Sequence, residues 1–88
     1  MPLDELLMIG LRRREGVHLE QLAKNSGWSQ DECDANLKLL EKYWLTFLKE
    51  GYLLKKNGRY LLSNPKGMQL SNQILIQMFV WWDSLDLD

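Results

Sequence analysis

The sequence is short of most of what chemistry needs. Cys33 is its single cysteine in 88 residues, which excludes an internal disulfide framework and any cluster or zinc site built from thiolates of this chain alone. His18 is its single histidine, and no second ligand stands beside it at metal-like spacing, so it reads as a connector residue facing solvent. There is no glycine-rich phosphate loop and no His-carboxylate cluster. No apolar run reaches the ~18 residues of a membrane span, and Asp4 and Glu5 stand where a secretory leader would carry basic residues. Charge of one sign is also missing: eleven Lys and Arg against twelve Asp and Glu leave a formal net charge of −1, too little to draw nucleic acid or an acidic membrane in bulk. These absences predict a soluble, cytoplasmic chain with no catalytic, cofactor-binding or metal-ligating residues of its own.

What is present is a hydrophobic share of 45% that includes four tryptophans, enough to build one core in a single domain over residues 1–88. The chain is organised around the stretch from Ser29 to Gly51. There Cys33, Leu37, Leu40, Trp44, Phe47 and Leu48 recur at helical period and form one apolar stripe. Ser29 followed by Glu32 predicts a capping box at its start, and Gly51 predicts its end. Before it, Pro2 to Arg14 reads as a first helix. Pro2 sits in the opening turn, acidic residues lie near the N-terminus, and Arg12, Arg13 and Arg14 lie near the C-terminus, as the helix dipole favours. Leu3, Leu6, Leu7 and Leu11 make one face of that helix and Met8 and Ile9 the other. A short second helix runs from Leu19 to a stop at Gly27.

After the central helix, two apolar runs, Tyr52 to Lys56 and Arg59 to Leu62, flank Asn57-Gly58, the strongest short-range hairpin signal. Ser63 or Asn64 then caps a last helix with Pro65 in its first turn. Gly67, Leu70, Ser71, Ile74, Met78 and Trp81 form its core stripe, with Gly67 and Ser71 small enough for close backbone approach. From Ile74 to Trp82 only Gln77 is polar, so Leu75, Ile76, Phe79, Val80 and Trp82 carry apolar surface round most of the circumference. The expected fold is mainly α with a small β-hairpin, a winged-helix-like domain with an additional C-terminal helix.

Winged-helix order raises nucleic-acid binding, but Asp31, Glu32 and Asp34 on the helix that would enter a groove would face and repel phosphates. Lys55, Lys56 and Arg59 on the hairpin are explained as a charged edge that blocks strand-to-strand aggregation. A protein-interaction module is the other class that the two apolar faces allow.

Four segments in order carry a family resemblance: Gly10-Leu11-Arg12-Arg13-Arg14-Glu15-Gly16-Val17, Glu50-Gly51-Tyr52-Leu53, Asn57-Gly58-Arg59-Tyr60-Leu61, and Lys66-Gly67-Met68-Gln69-Leu70-Ser71-Asn72-Gln73-Ile74. Together they resemble the C-terminal domain of oxygen-independent coproporphyrinogen III oxidases and their radical-SAM relatives, including haem chaperones. Two departures stand out: Lys42-Tyr43-Trp44-Leu45-Thr46 lengthens the central helix, and Ser63-Asn64-Pro65-Lys66-Gly67 has one residue more than the common form. The resemblance implies a parent of porphyrin biosynthesis whose N-terminal radical-SAM barrel holds a 4Fe-4S cluster and S-adenosylmethionine. This segment has neither that barrel nor its cysteine triplet, and so holds no cofactor. The implied partner is the barrel of the same parent chain, or the tetrapyrrole it acts on. Met8, Ile9, Arg12, Phe79, Val80 and Trp82 are the candidate contacts, with homodimerisation as the alternative use of the same faces.

Overall fold

Ser29 does at the head of the central helix what its spacing to Glu32 predicts. In the computed structural model, which describes residues 3–85, the Ser29 hydroxyl accepts the Glu32 N–H at 3.1 Å and the Glu32 carboxylate accepts the Ser29 N–H at 2.9 Å. Helix α3 spans Gln30–Tyr43, and at Trp44 it breaks, so that the predicted single helix continues as a separate short α4, Leu45–Lys49. The break falls inside the Lys42 to Thr46 segment that lengthens this element. Trp44 is wholly buried there and its Nε1–H donates to the Ile74 carbonyl at 3.0 Å. The indole bond ties the joint to the last helix and takes no bond from the backbone: the Trp44 N–H still donates to Leu40 O and its carbonyl still accepts the Leu48 N–H, each at 3.0 Å.

Helix α1, Leu3–Leu11, is shorter than the expected Pro2 to Arg14. Its last turn tightens, with Arg12 N–H bonded to Ile9 O and Arg13 N–H to Gly10 O, and the three arginines lie in the turn that follows, not in the helix. Pro2 lies outside the described residues. Past the turn, Val17–His18 forms a strand, β1, which periodicity does not reveal, and α2, Leu19–Asn25, follows at once. The hairpin is β2, Leu53–Lys56, and β3, Arg59–Leu62, with Asn57 and Gly58 at φ 52° and 80°, as a type I′ turn requires. Strand β1 pairs antiparallel with the free side of β3, giving the order β1-β3-β2 with Val17 opposite Tyr60 and His18 opposite Arg59. The result is a mainly α chain with a small antiparallel sheet.

The predicted last helix is likewise two: α5, Lys66–Gln69, and α6, Ser71–Ser84, joined at Leu70. Ser63 holds the entry, its hydroxyl accepting the Gly67 N–H at 3.0 Å while donating to the Tyr52 carbonyl at 3.1 Å. Gly67 approaches β2 so closely that a Cβ there would sit 2.0 Å from the Tyr52 carbonyl oxygen, so the small residue is a steric requirement. The core joins Leu3, Leu7 and Leu11 of α1 to Leu40, Trp44 and Leu53, and is closed from the other side by Ile74, Leu75, Met78 and Trp81 of α6. Leu75, assigned from sequence to exposed apolar surface, is 5% exposed.

Candidate functional site

Two clefts of the described chain hold polar groups. The first, about 240 Å³, lies between α3 and the hairpin and includes Cys33, Glu41, Lys55 and Tyr60. Glu41 is the focus: it accepts hydrogen bonds from the Tyr60 hydroxyl and from Lys55 Nζ, which also lies 5.4 Å from the Tyr60 ring centroid. Burial alone would raise the Glu41 pKa, but the bonds from Lys55 and Tyr60 and the Lys55 charge outweigh it and hold the carboxyl below its ordinary value. The bond to Glu41 holds the Lys55 ammonium above its ordinary value against desolvation. Burial, followed by the hydrogen bond to Glu41, pushes Tyr60 up to about 12. The Cys33 thiol is raised by burial, then by Glu20, which disfavours the thiolate. Glu41, Lys55 and Tyr60 make a latch between α3 and the sheet.

That latch fixes a pH dependence. Glu41, depressed below 4.5, stabilises the fold above that value and its contribution is lost as pH falls through its folded pKa; Tyr60, raised from 10.0, contributes fully below 10.0 and is lost as pH rises toward about 12. Urea midpoints measured across pH should thus fall at both ends. Tyr60→Phe should flatten the alkaline limb, and an unchanged alkaline limb would show that Tyr60 is not its source.

The second cleft, about 410 Å³, lies between α1, the turn after it, α2 and the hairpin end, and includes Ile9, Arg13, Glu15, His18 and Arg59. His18 is no free connector: its Nδ1 accepts the Gln21 N–H at 3.2 Å and caps α2, so a neutral ring carries its proton on Nε2. His18 Nε2 packs over Gly58, where a Cβ would meet it at 2.8 Å.

The six contact candidates read from sequence do not form one site. Met8 and Phe79 are half-buried against the core. Ile9 is 39% and Val80 46% exposed, and Arg12 is exposed in the turn. Trp82 is half-buried, stacked on Trp28 with centroids 6.4 Å apart and planes 5° from parallel, beside Trp81, whose Nε1–H donates to the Asn36 carbonyl at 2.8 Å. Of the six, the second cleft takes Ile9 alone. Arg13 and Arg59 both line it, two residues that no periodicity brings together; the pairing of β1 with β3 does.

Among the described residues no group of three His, Cys, Asp or Glu could hold a metal ion, and no helix is long and apolar enough to cross a membrane. The buried Cys33, alone, does not suit cluster ligation. No curated protein and no solved structure matches the chain. A family model does: the HemN C-terminal domain matches residues 2–70, from the start of α1 through α5, including the arginine turn, the hairpin and the Gly67 approach. With most of its length matched in this way, the chain belongs to the HemN C-terminal domain family.

Proposed function

We propose that the chain is the C-terminal accessory domain of an oxygen-independent coproporphyrinogen III oxidase-like radical-SAM protein, in the cytoplasm, packing on the catalytic barrel or covering its tetrapyrrole site. Family membership carries this reading. In it, the 4Fe-4S cluster and S-adenosylmethionine belong to the barrel, and this domain supplies surface and not a redox group. Its order of helix, strand, three helices and hairpin is read as a winged helix with α5 and α6 added. Support for docking comes from side chains that the fold leaves uncovered: Ile9 on α1 and, four residues apart on one face of α6, Ile76 and Val80 at 56% and 46% exposed. Nucleic acid remains disfavoured as the partner, since Asp31, Glu32 and Asp34 are all exposed at the start of α3.

The test mixes this chain with a radical-SAM barrel of the coproporphyrinogen oxidase type that lacks its own C-terminal domain. A stoichiometric complex is expected in size-exclusion chromatography, abolished by Ile76→Asp with Val80→Asp. Both positions are on the surface, so the variant should fold. No complex with the barrel, or a dimer of this chain lost in the same variant, would overturn the reading.

A further inference from the structure

The His18 ring is held at both of its nitrogens. Nδ1 accepts the Gln21 N–H at 3.2 Å and so caps α2, and Nε2 rests on Gly58 of the hairpin turn, where a Cβ would meet it at 2.8 Å. The backbone of the same residue lies in β1, opposite Arg59 of β3. One side chain thus fastens the start of α2 to the sheet, and histidine is the side chain that ordinarily takes up a proton between about pH 5 and 8. A cap of this kind works in one charge state only. Nδ1 accepts while the ring is neutral; in the protonated ring both nitrogens are donors, and an Nδ1–H would face the Gln21 N–H. Turning the ring over does not restore the bond, because a ring carbon would then stand where Nδ1 accepts.

The charges round the ring are mixed. Arg59 stands directly across the strand pair, with Lys56 beyond it on β2, and like charges directly opposite destabilise a sheet. In the cleft toward α1, the turn after that helix brings Arg13 and Glu15. In the cleft toward α3, α2 brings Glu20, paired with Lys24; α3 brings Asp34, Lys38 and Glu41; and the hairpin brings Lys55, paired with Glu41. Cys33 and Tyr60 of the same cleft are both raised, so they stay protonated and neutral through the histidine range. Glu20 is the carboxylate that feels a His18 charge, and it feels Gln30 and Lys24 more strongly. Cations and carboxylates thus nearly balance, and the acceptor lost at Nδ1 decides the outcome. We propose that His18 is a proton-operated joint: the first turn of α2 is fastened to the sheet while the ring is neutral and is released as pH falls through the histidine range. His18 lines both clefts, so the release loosens the wall they share. The contribution is present above that range and lost below it, between the acid limb of Glu41 and the alkaline limb of Tyr60, and so can be read apart from both.

The experiment follows the isotope-labelled 88-residue chain by NMR at about pH 8 and about pH 5. Long-range spectra of the ring at the higher pH should show the proton on Nε2 and an accepting Nδ1. The protection factor of the Gln21 backbone N–H, which corrects for the intrinsic dependence of exchange on pH, should fall about fivefold at the lower pH, the size of a typical lost helix cap. The Trp44 N–H, bonded to Leu40 O in the core, should keep its protection. His18→Asn retains a capping acceptor and cannot titrate, so its Gln21 protection should be the same at both pH values. The proposal is overturned by a neutral ring with its proton on Nδ1, or by unchanged Gln21 protection in the intact chain. It is equally overturned by the same loss in His18→Asn, which would assign the effect to another group, or by an equal fall at Trp44, which would make the release a global unfolding. The ring spectra and the two protection factors need no variant, so the test stands whether or not His18→Asn folds.

Discussion

A chain ending at Leu70 should fail to fold, although it would contain nearly all the residues that define the family. The family match stops at residue 70, and α6 lies beyond it. Yet Ile74, Leu75, Met78 and Trp81 are each 5% exposed or less. Burying such a side chain is worth about 1.5–3 kcal/mol, so four together supply on the order of 6–12 kcal/mol. That is comparable with the whole stability of a typical small domain, about 5–15 kcal/mol. The cut also removes the Ile74 carbonyl that Trp44 Nε1 uses and exposes the far side of α3 and α1. Circular dichroism should show a loss of cooperative thermal unfolding in the truncated chain. A sharp transition near that of the intact chain would show that α6 is an appendage and that the core closes without it.

Trp44→Ala should be the most damaging single change in the interior, at about 3–5 kcal/mol, the range for emptying a buried large aromatic site. Trp44 is 0% exposed, lies 5.6 Å from the Tyr60 ring in a tilted pair, and occupies the joint where α3 ends and α4 begins. Its removal would leave a cavity at the joint, which the backbone bonds of residue 44 to Leu40 and Leu48 do not fill. Trp44→Phe separates the two contributions, since it keeps most of the ring and loses the hydrogen bond to Ile74, which is worth about 1 kcal/mol. Urea unfolding should therefore rank intact chain, Phe and Ala in that order, with the larger step between Phe and Ala. If the Phe variant is as unstable as Ala, the hydrogen bond to α6 matters more than the filling of space.

The parts of the fold that can be read from sequence are those with local causes. Ser29 and Glu32 are three apart, and the capping box they make needs no other part of the chain. Asn57-Gly58 determines its own turn, and Gly67 was expected to allow close approach and does so against Tyr52. The break at Trp44 is not visible, because Trp44 continues the same helical stripe as Leu40 and Phe47. Strand β1 was not visible either, since two residues are too few to show alternation. The second cleft is equally hidden: sequence makes Arg13 a helix-end residue and Arg59 edge protection, and only the pairing of β1 with β3 puts them in one place. Trp82 differs in the opposite direction: its apolar character predicts free surface, and the distant Trp28 stacks on it and leaves it half-buried.

The long reach of the tryptophan bonds bears on how fast this chain can find its fold. Trp44 bonds across 30 residues and Trp81 across 45, and the strand at Val17 must wait for Tyr60. Folding rate falls as the contacts that define the native state become more distant in sequence, because loop closure must be met before those contacts reward it. Composition by secondary structure would place this mainly helical chain with the fast-folding bundles. The β1-β3 pair and the docked α6 add long-range contacts that such bundles lack, so its folding should be slower than theirs.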